Sequence, residues 1–375
     1  VDNLRRFIAM KLICEKNKLQ DAISTSQKAI TGKSTMPVLE GLYIEAVNNV
    51  LTFIGSDIDL SIETKTQAEV IEPGKIVVDN RIFGEIIRKL PNDKVIIETI
   101  DGNIIQISCQ KSVFNLVHMN ADEYPSVPNI NENIVFSINQ SILKNMIKGT
   151  IFATAQDETR PILQGVLFEV NNKNLNLVAL DGYRLAVKSQ VIDTDNSINV
   201  VIPGKTLSEV SKILEENEEK VNITFTENHI LFNLGETKII SRLLEGEFIK
   251  YSSLLPQEHK LLVTVNRQEL LNGIERASLM AKDGNSNLIK LNIEEDNMVI
   301  TSNSQLGKVR EEVSINLQGE SLQIAFNSKY LLDVLKIMED DEVLLELSSS
   351  VTPCVIKNKE IDNCKYLVLP VRLVK

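Results

Sequence analysis

Apolar residues at helical spacing recur three times in one register. In Asp79–Leu90 they are Phe83, Ile86 and Leu90; 124 residues on they are Leu207, Val210 and Leu214, and 124 further on Leu331, Val334 and Met338. Positions i, i+3 and i+7 form one stripe of a helix, so each stretch predicts a helix buried along that face. A second set opens each copy, where an alternating strand runs into a helix at Cys14–Ile23, Ile138–Ile147 and Val265–Ile274. There Leu19, Leu143 and Leu270 align, as do Ile23, Ile147 and Ile274.

Between the two helices the period changes from helical to alternating. Pro37–Glu63 matches Pro161–Lys188, and Asn287–Val313 keeps the alternation but loses the proline. Asn-rich turns separate the runs, as hairpins require. Further strands follow the second helix at Lys94–Ile100, Lys220–Thr226 and Glu342–Ser348. Each copy therefore reads as helix, strands, helix, strands, itself a possible duplication of one βαβββ-like unit. Two helices on antiparallel sheet make an α+β layer architecture.

The chain of 375 residues is too long for one ordinary core, and a period near 124 is the size of a whole domain rather than a solenoid repeat. Ala121–Asn133 and Gly246–Lys260, with prolines and few periodic apolar residues, read as linkers. The expected domains are 10–132, 133–258 and 259–375. Residues 1–9 stand outside the repeat and read as an upstream extension or remnant, with Met10 the natural start.

The net charge of −11 speaks against a nucleic-acid partner unless the basic residues are segregated. They recur in register. Arg81, Lys205 and Lys329 share one position, and Arg88, Lys212 and Lys336 share another seven residues on. Seven residues are about two helical turns, so each pair projects from one side of its helix. Lys144 and Lys148 extend the pattern on the second copy's first helix; Arg267, Arg276 and Lys282 lie in or near the third copy's. Solubility alone places no demand on register. Helices facing inward around an arc would line a channel with cations, and that lining would attract duplex DNA without reading its sequence. Aromatics at 5% disfavour a single-strand stacking platform.

No catalytic constellation assembles. Two Gly-Lys-Thr/Ser sites, at Ile30–Thr35 and Ile202–Leu207, have Gln27 and Asn199 where a phosphate-binding loop needs glycine. His118, His229 and His259 are scattered, and carboxylate pairs such as Asp340–Asp341 read as solvated turns. Cys14, Cys109, Cys354 and Cys364 lack zinc spacing and read as reduced thiols of a cytoplasmic protein. No apolar run reaches membrane-spanning length. Neither cofactor nor metal is expected.

Arg160–Glu169 (RPILQGVLFE), Ala179–Val187 (ALDGYRLAV), Phe326–Leu335 (FNSKYLLDVL) and Tyr366–Leu373 (YLVLPVRL), with the triplication, make the chain resemble the bacterial DNA sliding clamp family, the beta subunits of replicative DNA polymerase. The resemblance runs from Met10 to Lys375. It implies a non-enzymatic processivity factor, a head-to-tail homodimeric ring with helices inside. Phe114 and Leu116 of one copy would then face Leu279 and Met280 of the other. Lys33 matches a DNA-contacting loop position.

The resemblance also implies a pocket for short linear motifs of polymerase, clamp loader and repair proteins. Its walls would include Arg160, Leu163, Leu180, Gly182, Tyr183, Arg184 and Leu185. Ile249, Leu254 and Val351 would join them, with Leu367, Leu369, Pro370, Val371 and Arg372 from the closing stretch. Asn327 and Tyr330 would lie at its edge. The alternative is a protein that is not a ring and uses its basic helices as an open DNA-binding or scaffold patch.

Overall fold

The computed structural model describes residues 10–32, 34–100, 103–131, 133, 135–157, 159–283 and 287–372. Its α-helices are α1 (Lys16–Ser26), α2 (Asn80–Lys89), α3 (Gln140–Ile151), α4 (Gly204–Ile213), α5 (Arg267–Asp283) and α6 (Ser328–Ile337). Each starts on the residue after a strand ends; Gly74–Asp79 leads into α2, for example, and Leu322–Asn327 into α6. The strand-to-helix step thus occurs twice in each sequence repeat, as the duplicated-unit reading expected.

Caps fix where several helices begin. Asp79 Oδ1 accepts from the Ile82 N–H at 2.7 Å, Asn266 Oδ1 from Glu269 at 3.0 Å and Asn327 Oδ1 from Lys329 at 3.0 Å. Each bond satisfies a donor that the first helical turn leaves unpaired. At the other end α2 stops one residue short of the apolar stripe. Leu90 precedes Pro91, which excludes helical backbone there, and its ψ is 152°. Phe83 and Ile87 carry the burial in α2, with Ile86 only half-buried.

The hairpins follow from turn chemistry. Asn48 and Asn49 have φ of 50° and 60°, and Asn172 and Lys173 have 49° and 63°. Two consecutive positive φ angles make the turn whose twist matches paired strands. These turns join Gly41–Val47 to Val50–Ser56 and Gly165–Asn171 to Asn174–Leu180, both antiparallel.

The chain forms two compact units. One runs to Gln140 and adds Lys212–Leu243; the other holds Ser141–Ser211 and the chain from Leu244 onward. The first contains a 13-stranded sheet and the second a 12-stranded sheet. In the first unit Thr237–Arg242 pairs with Leu60–Gln67, with Ile239 opposite Ile62, so sheet runs on from one sequence repeat into the next. In the second unit Arg184–Val191 pairs likewise with Cys364–Val368, placing Leu185 opposite Leu367. An unpaired edge leaves a row of backbone donors and acceptors, and these pairings remove it.

Leu19 and Ile23 of α1 meet Phe83 and Ile87 of α2 over Leu42, Phe53, Ile97 and Ile107 in the first unit's core. Burying a side chain such as Phe83 is worth about 1.5–3 kcal/mol. The two expected linkers are more firmly held than their composition suggests. The Tyr124 hydroxyl donates to the Ile54 carbonyl at 3.2 Å, and its ring lies 5.4 Å from that of Tyr43. Phe248, Tyr251 and Leu255 pack on the second unit's core, and the Tyr251 hydroxyl donates to Glu169 at 2.6 Å. Asp340, expected to be solvated, is half-buried, and its Oδ2 has no hydrogen-bond partner.

Candidate functional site

The six cations at matched positions are all exposed: Arg81 and Arg88 on α2, Lys205 and Lys212 on α4, Lys329 and Lys336 on α6. Opposite them each helix turns inward Phe83 and Ile87, Leu207 and Val210, or Leu331 and Val334. The apolar stripe that seats the helix thus fixes the cationic face as well. On α3 Lys148 is exposed and Lys144 half-buried. Lys33 lies outside the described residues.

Acidic neighbours stand beside some of these cations, one at helical spacing and one reached only through the fold. Arg88 pairs with Glu85 on its own helix, and Lys336 Nζ lies 2.9 Å from Glu275 of α5. Both pairs are solvent-exposed, where such contacts are worth about 0–1 kcal/mol and give way readily to another anion. Arg267 points elsewhere: its guanidinium donates to the carbonyls of Asp340 at 3.0 Å and Leu335 at 3.3 Å, closing the end of α6.

A cleft of about 330 Å³ lies along the groove between α1 and α2, and Gln20, Ser24 and Gln27 line it beside Arg81, Gly84 and Arg88. The three neutral residues went unnoticed in the sequence because no charge marks them. Their i, i+4, i+7 spacing, one polar stripe running beside Leu19 and Ile23, was the available signal.

Phe114 is exposed on the strand Ser112–Met119, while Leu116 is half-buried against the first unit's core. Val113 and Val117 are exposed on the same strand. On α5 Leu279 is exposed and Met280 half-buried, its sulfur 3.9 Å from the Ser304 hydroxyl. Leu306, two residues past that serine, is 79% exposed. Val113, Val117 and Leu306 were missed, since apolar residues in strands and hairpins ordinarily read as core.

The expected pocket residues fall into two tiers within the second unit. Leu163, Leu180, Leu185 and Leu367 are buried in one core cluster with Val178 and Val355, so they lie within the core rather than on an open wall. Tyr183, Ile249, Leu254, Val351, Leu369 and Val371 are instead exposed, as are Gly182, Arg160 and Arg372, with Pro370 half-buried. The closing stretch is a strand only to Val368, because Pro370 brings no N–H to continue a ladder. Beyond it the backbone is still pinned: the Leu369 N–H donates to the Tyr183 carbonyl at 2.9 Å and the Val371 N–H to Ala325 at 2.8 Å. The backbone is thereby fixed while the Leu369 and Val371 side chains stay open to solvent.

Arg184 does not stand in that open tier. It is 8% exposed, and its Nε donates to Asp181 at 3.0 Å, one terminal nitrogen to Asp333 and the other to the Phe152 carbonyl at 2.6 Å. The guanidinium also lies 4.7 Å from the Tyr330 ring centre, and Tyr330 stacks on Tyr183 at 6.1 Å. Asn327, at the edge, is used as the cap of α6. The second unit thus leaves Tyr183, Ile249, Leu254, Val351, Leu369 and Val371 exposed, while Leu163, Leu180, Leu185 and Leu367 are enclosed in its core.

Three models of the DNA polymerase III beta subunit match the chain: the N-terminal domain over residues 10–128, the central domain over 137–250 and the C-terminal domain over 252–372. A beta sliding clamp of Bacillus subtilis is 39% identical over 376 residues, covering 97% of this chain and 100% of that protein. The crystal structure of the DNA polymerase sliding clamp from Bacillus subtilis superposes with a TM-score of 0.94 at 39% identity, again over 97% and 100% of the two chains. The sliding clamp from Pseudomonas aeruginosa bound to griselimycin gives a TM-score of 0.91 at 30% identity, covering 97% and 100%.

Proposed function

The chain belongs to the DNA polymerase III beta subunit family, the beta sliding clamps, and we propose that two copies close head to tail around duplex DNA, with helices α1–α6 of each lining the hole. It is a processivity factor and not an enzyme. The carrying observation is the shared exposure of Arg81, Arg88, Lys205, Lys212, Lys329 and Lys336 in a chain of net charge −11. Sliding needs many weak contacts to phosphate that ignore sequence; a few strong ones would pin the ring. Acidic outer surfaces discourage DNA from adhering elsewhere.

In this reading the domains are 10–132, 133–258 and 259–375. Phe114 and Leu116 of one copy meet Leu279 and Met280 of the other, with Val113, Val117 and Leu306 extending the contact. Lys33, Lys144 and Lys148 join the DNA-facing set. The protein acts in the cytoplasm, and no described helix is long and apolar enough to cross a membrane.

The apolar row of Tyr183, Ile249, Leu254, Val351, Leu369 and Val371 receives short linear motifs of the replicative polymerase, the clamp loader and repair proteins. Exposed apolar side chains on a rigid floor provide anchor sites, and Arg160 and Arg372 orient an acidic or carboxylate group. Leu369→Asp places a charge among the anchors and abolishes polymerase binding while leaving the dimer mass unchanged. Undiminished polymerase affinity in that variant would move the site elsewhere.

A further inference from the structure

Arg184 is held from four sides, and the residues that hold it come from distant parts of the chain. Asp181 takes Nε with Oδ2 and uses Oδ1 to accept the backbone N–H groups of Tyr183 at 2.9 Å and Arg184 at 3.0 Å. The turn this creates has Gly182 at φ +91°, a conformation that favours glycine. From α6, one helical turn apart, Tyr330 supplies a ring face and Asp333 a carboxylate to the same guanidinium. Phe152 supplies a carbonyl and a ring 5.2 Å away.

With its terminal nitrogens and its Nε engaged and its side chain buried, Arg184 has little capacity left for a ligand carboxylate. Its effect on a bound segment runs through what it holds still. Tyr330 stacks on Tyr183, and the Tyr183 carbonyl accepts the N–H of Leu369. Asp333 therefore stands at one end of a chain of interactions whose other end is the exposed apolar row.

We propose that Asp333 is a positioning residue for the peptide groove: by pairing with Arg184 it locks Tyr330, Tyr183 and the Leu369 backbone in the binding-ready arrangement, leaving charge recognition to Arg160 and Arg372. This deepens the groove reading and rests on it. Asp333 pairs with a charge that is nearly buried, and removing one partner of such a pair leaves the other without compensation. The guanidinium then turns toward solvent or toward Asp181, and the tyrosine pair loses its support. A preorganised site that must be reordered on binding loses affinity by that amount.

The test uses the full-length clamp dimer and the replicative polymerase of the same source, with affinity read by surface plasmon resonance. Asp333→Ala weakens polymerase binding about tenfold, Asp333→Glu recovers most of the loss, and dimer mass and far-UV spectrum stay those of the parent. A cycle with Arg184→Ala gives a double variant no weaker than Arg184→Ala alone, since the carboxylate acts only through the arginine. Leu369→Asp, measured alongside, separates the two claims. If it abolishes binding while Asp333→Ala stays within twofold, or while Asp333→Glu fails to restore, the positioning role is overturned and the groove stands. If Leu369→Asp itself binds normally, the groove assignment fails first and the positioning role with it.

Discussion

One position in the repeat shows how far single residues depart from the pattern they share. Gly182 and Ile58 are 124 residues apart in matching turns and both have positive φ, +91° and +81°. Glycine adopts that backbone freely, whereas a β-branched residue there is strained, by about 1–3 kcal/mol. Ile58 is 59% exposed, so little burial offsets the strain. Ile58→Gly is expected to raise unfolding stability by about 1 kcal/mol in a denaturant titration, part of the relief being returned as glycine's extra chain entropy. A fall in stability would mean that Ile58 is held by packing worth more than its backbone strain. The four cysteines, scattered and without motif, are all buried. Burial pushes the Cys14 thiol up to about 11 from 9.0, and raises Cys109, Cys354 and Cys364 too. The native chain should resist a thiol-reactive disulfide reagent at pH 8 and react fully in denaturant. Above about pH 9 the unfolded thiols ionise while the folded ones stay neutral, so the unfolded state binds fewer protons and stability falls as pH rises through that window. Rapid labelling of the native protein would contradict the burial.

At the scale of elements, the helices were readable because two demands coincide in each. The apolar stripe of Leu331, Val334 and Met338 seats α6, and seating it forces Lys329 and Lys336 outward. Register alone therefore located the cations, but not their neighbours on other elements. Glu275 lies on a different helix from Lys336, and Asp333 is 149 residues from Arg184, distances over which no local period operates. The burial of the proposed pocket's residues was obscured as well. The resemblance grouped Leu163, Leu180, Leu185 and Leu367 with Leu369 and Val371 as walls, and did not tell that the first four are buried in a core cluster while the last two, past the last paired residue, remain exposed. If the cationic faces meet phosphate, removing Arg81 and Lys329 together by alanine substitution flattens the plot of log affinity against log salt for a short duplex. Each phosphate that the variant no longer neutralises reduces that slope by about 0.9. Fluorescence anisotropy over a salt series measures it. An unchanged slope would place the DNA on another surface.

The whole molecule was legible as three copies with a period of 124 residues, yet its compact units do not follow the copies. The pairing of Ile239 with Ile62, and of Leu185 with Leu367, carries sheet from one copy into another. Repeats declare how many edges exist, and only folding declares which edges meet, because any exposed strand can serve another. In the proposed ring a second chain is met through exposed side chains such as Phe114 and Leu279, and encirclement replaces adhesion. The most direct measurement loads the clamp on nicked circular duplex, raises salt until electrostatic binding is lost, and then cuts the circle with a single-site nuclease. The account predicts that the protein stays on the intact circle at high salt and leaves as soon as the DNA has ends. Equal loss from the circular and the cut DNA would contradict it and leave an open basic patch in its place.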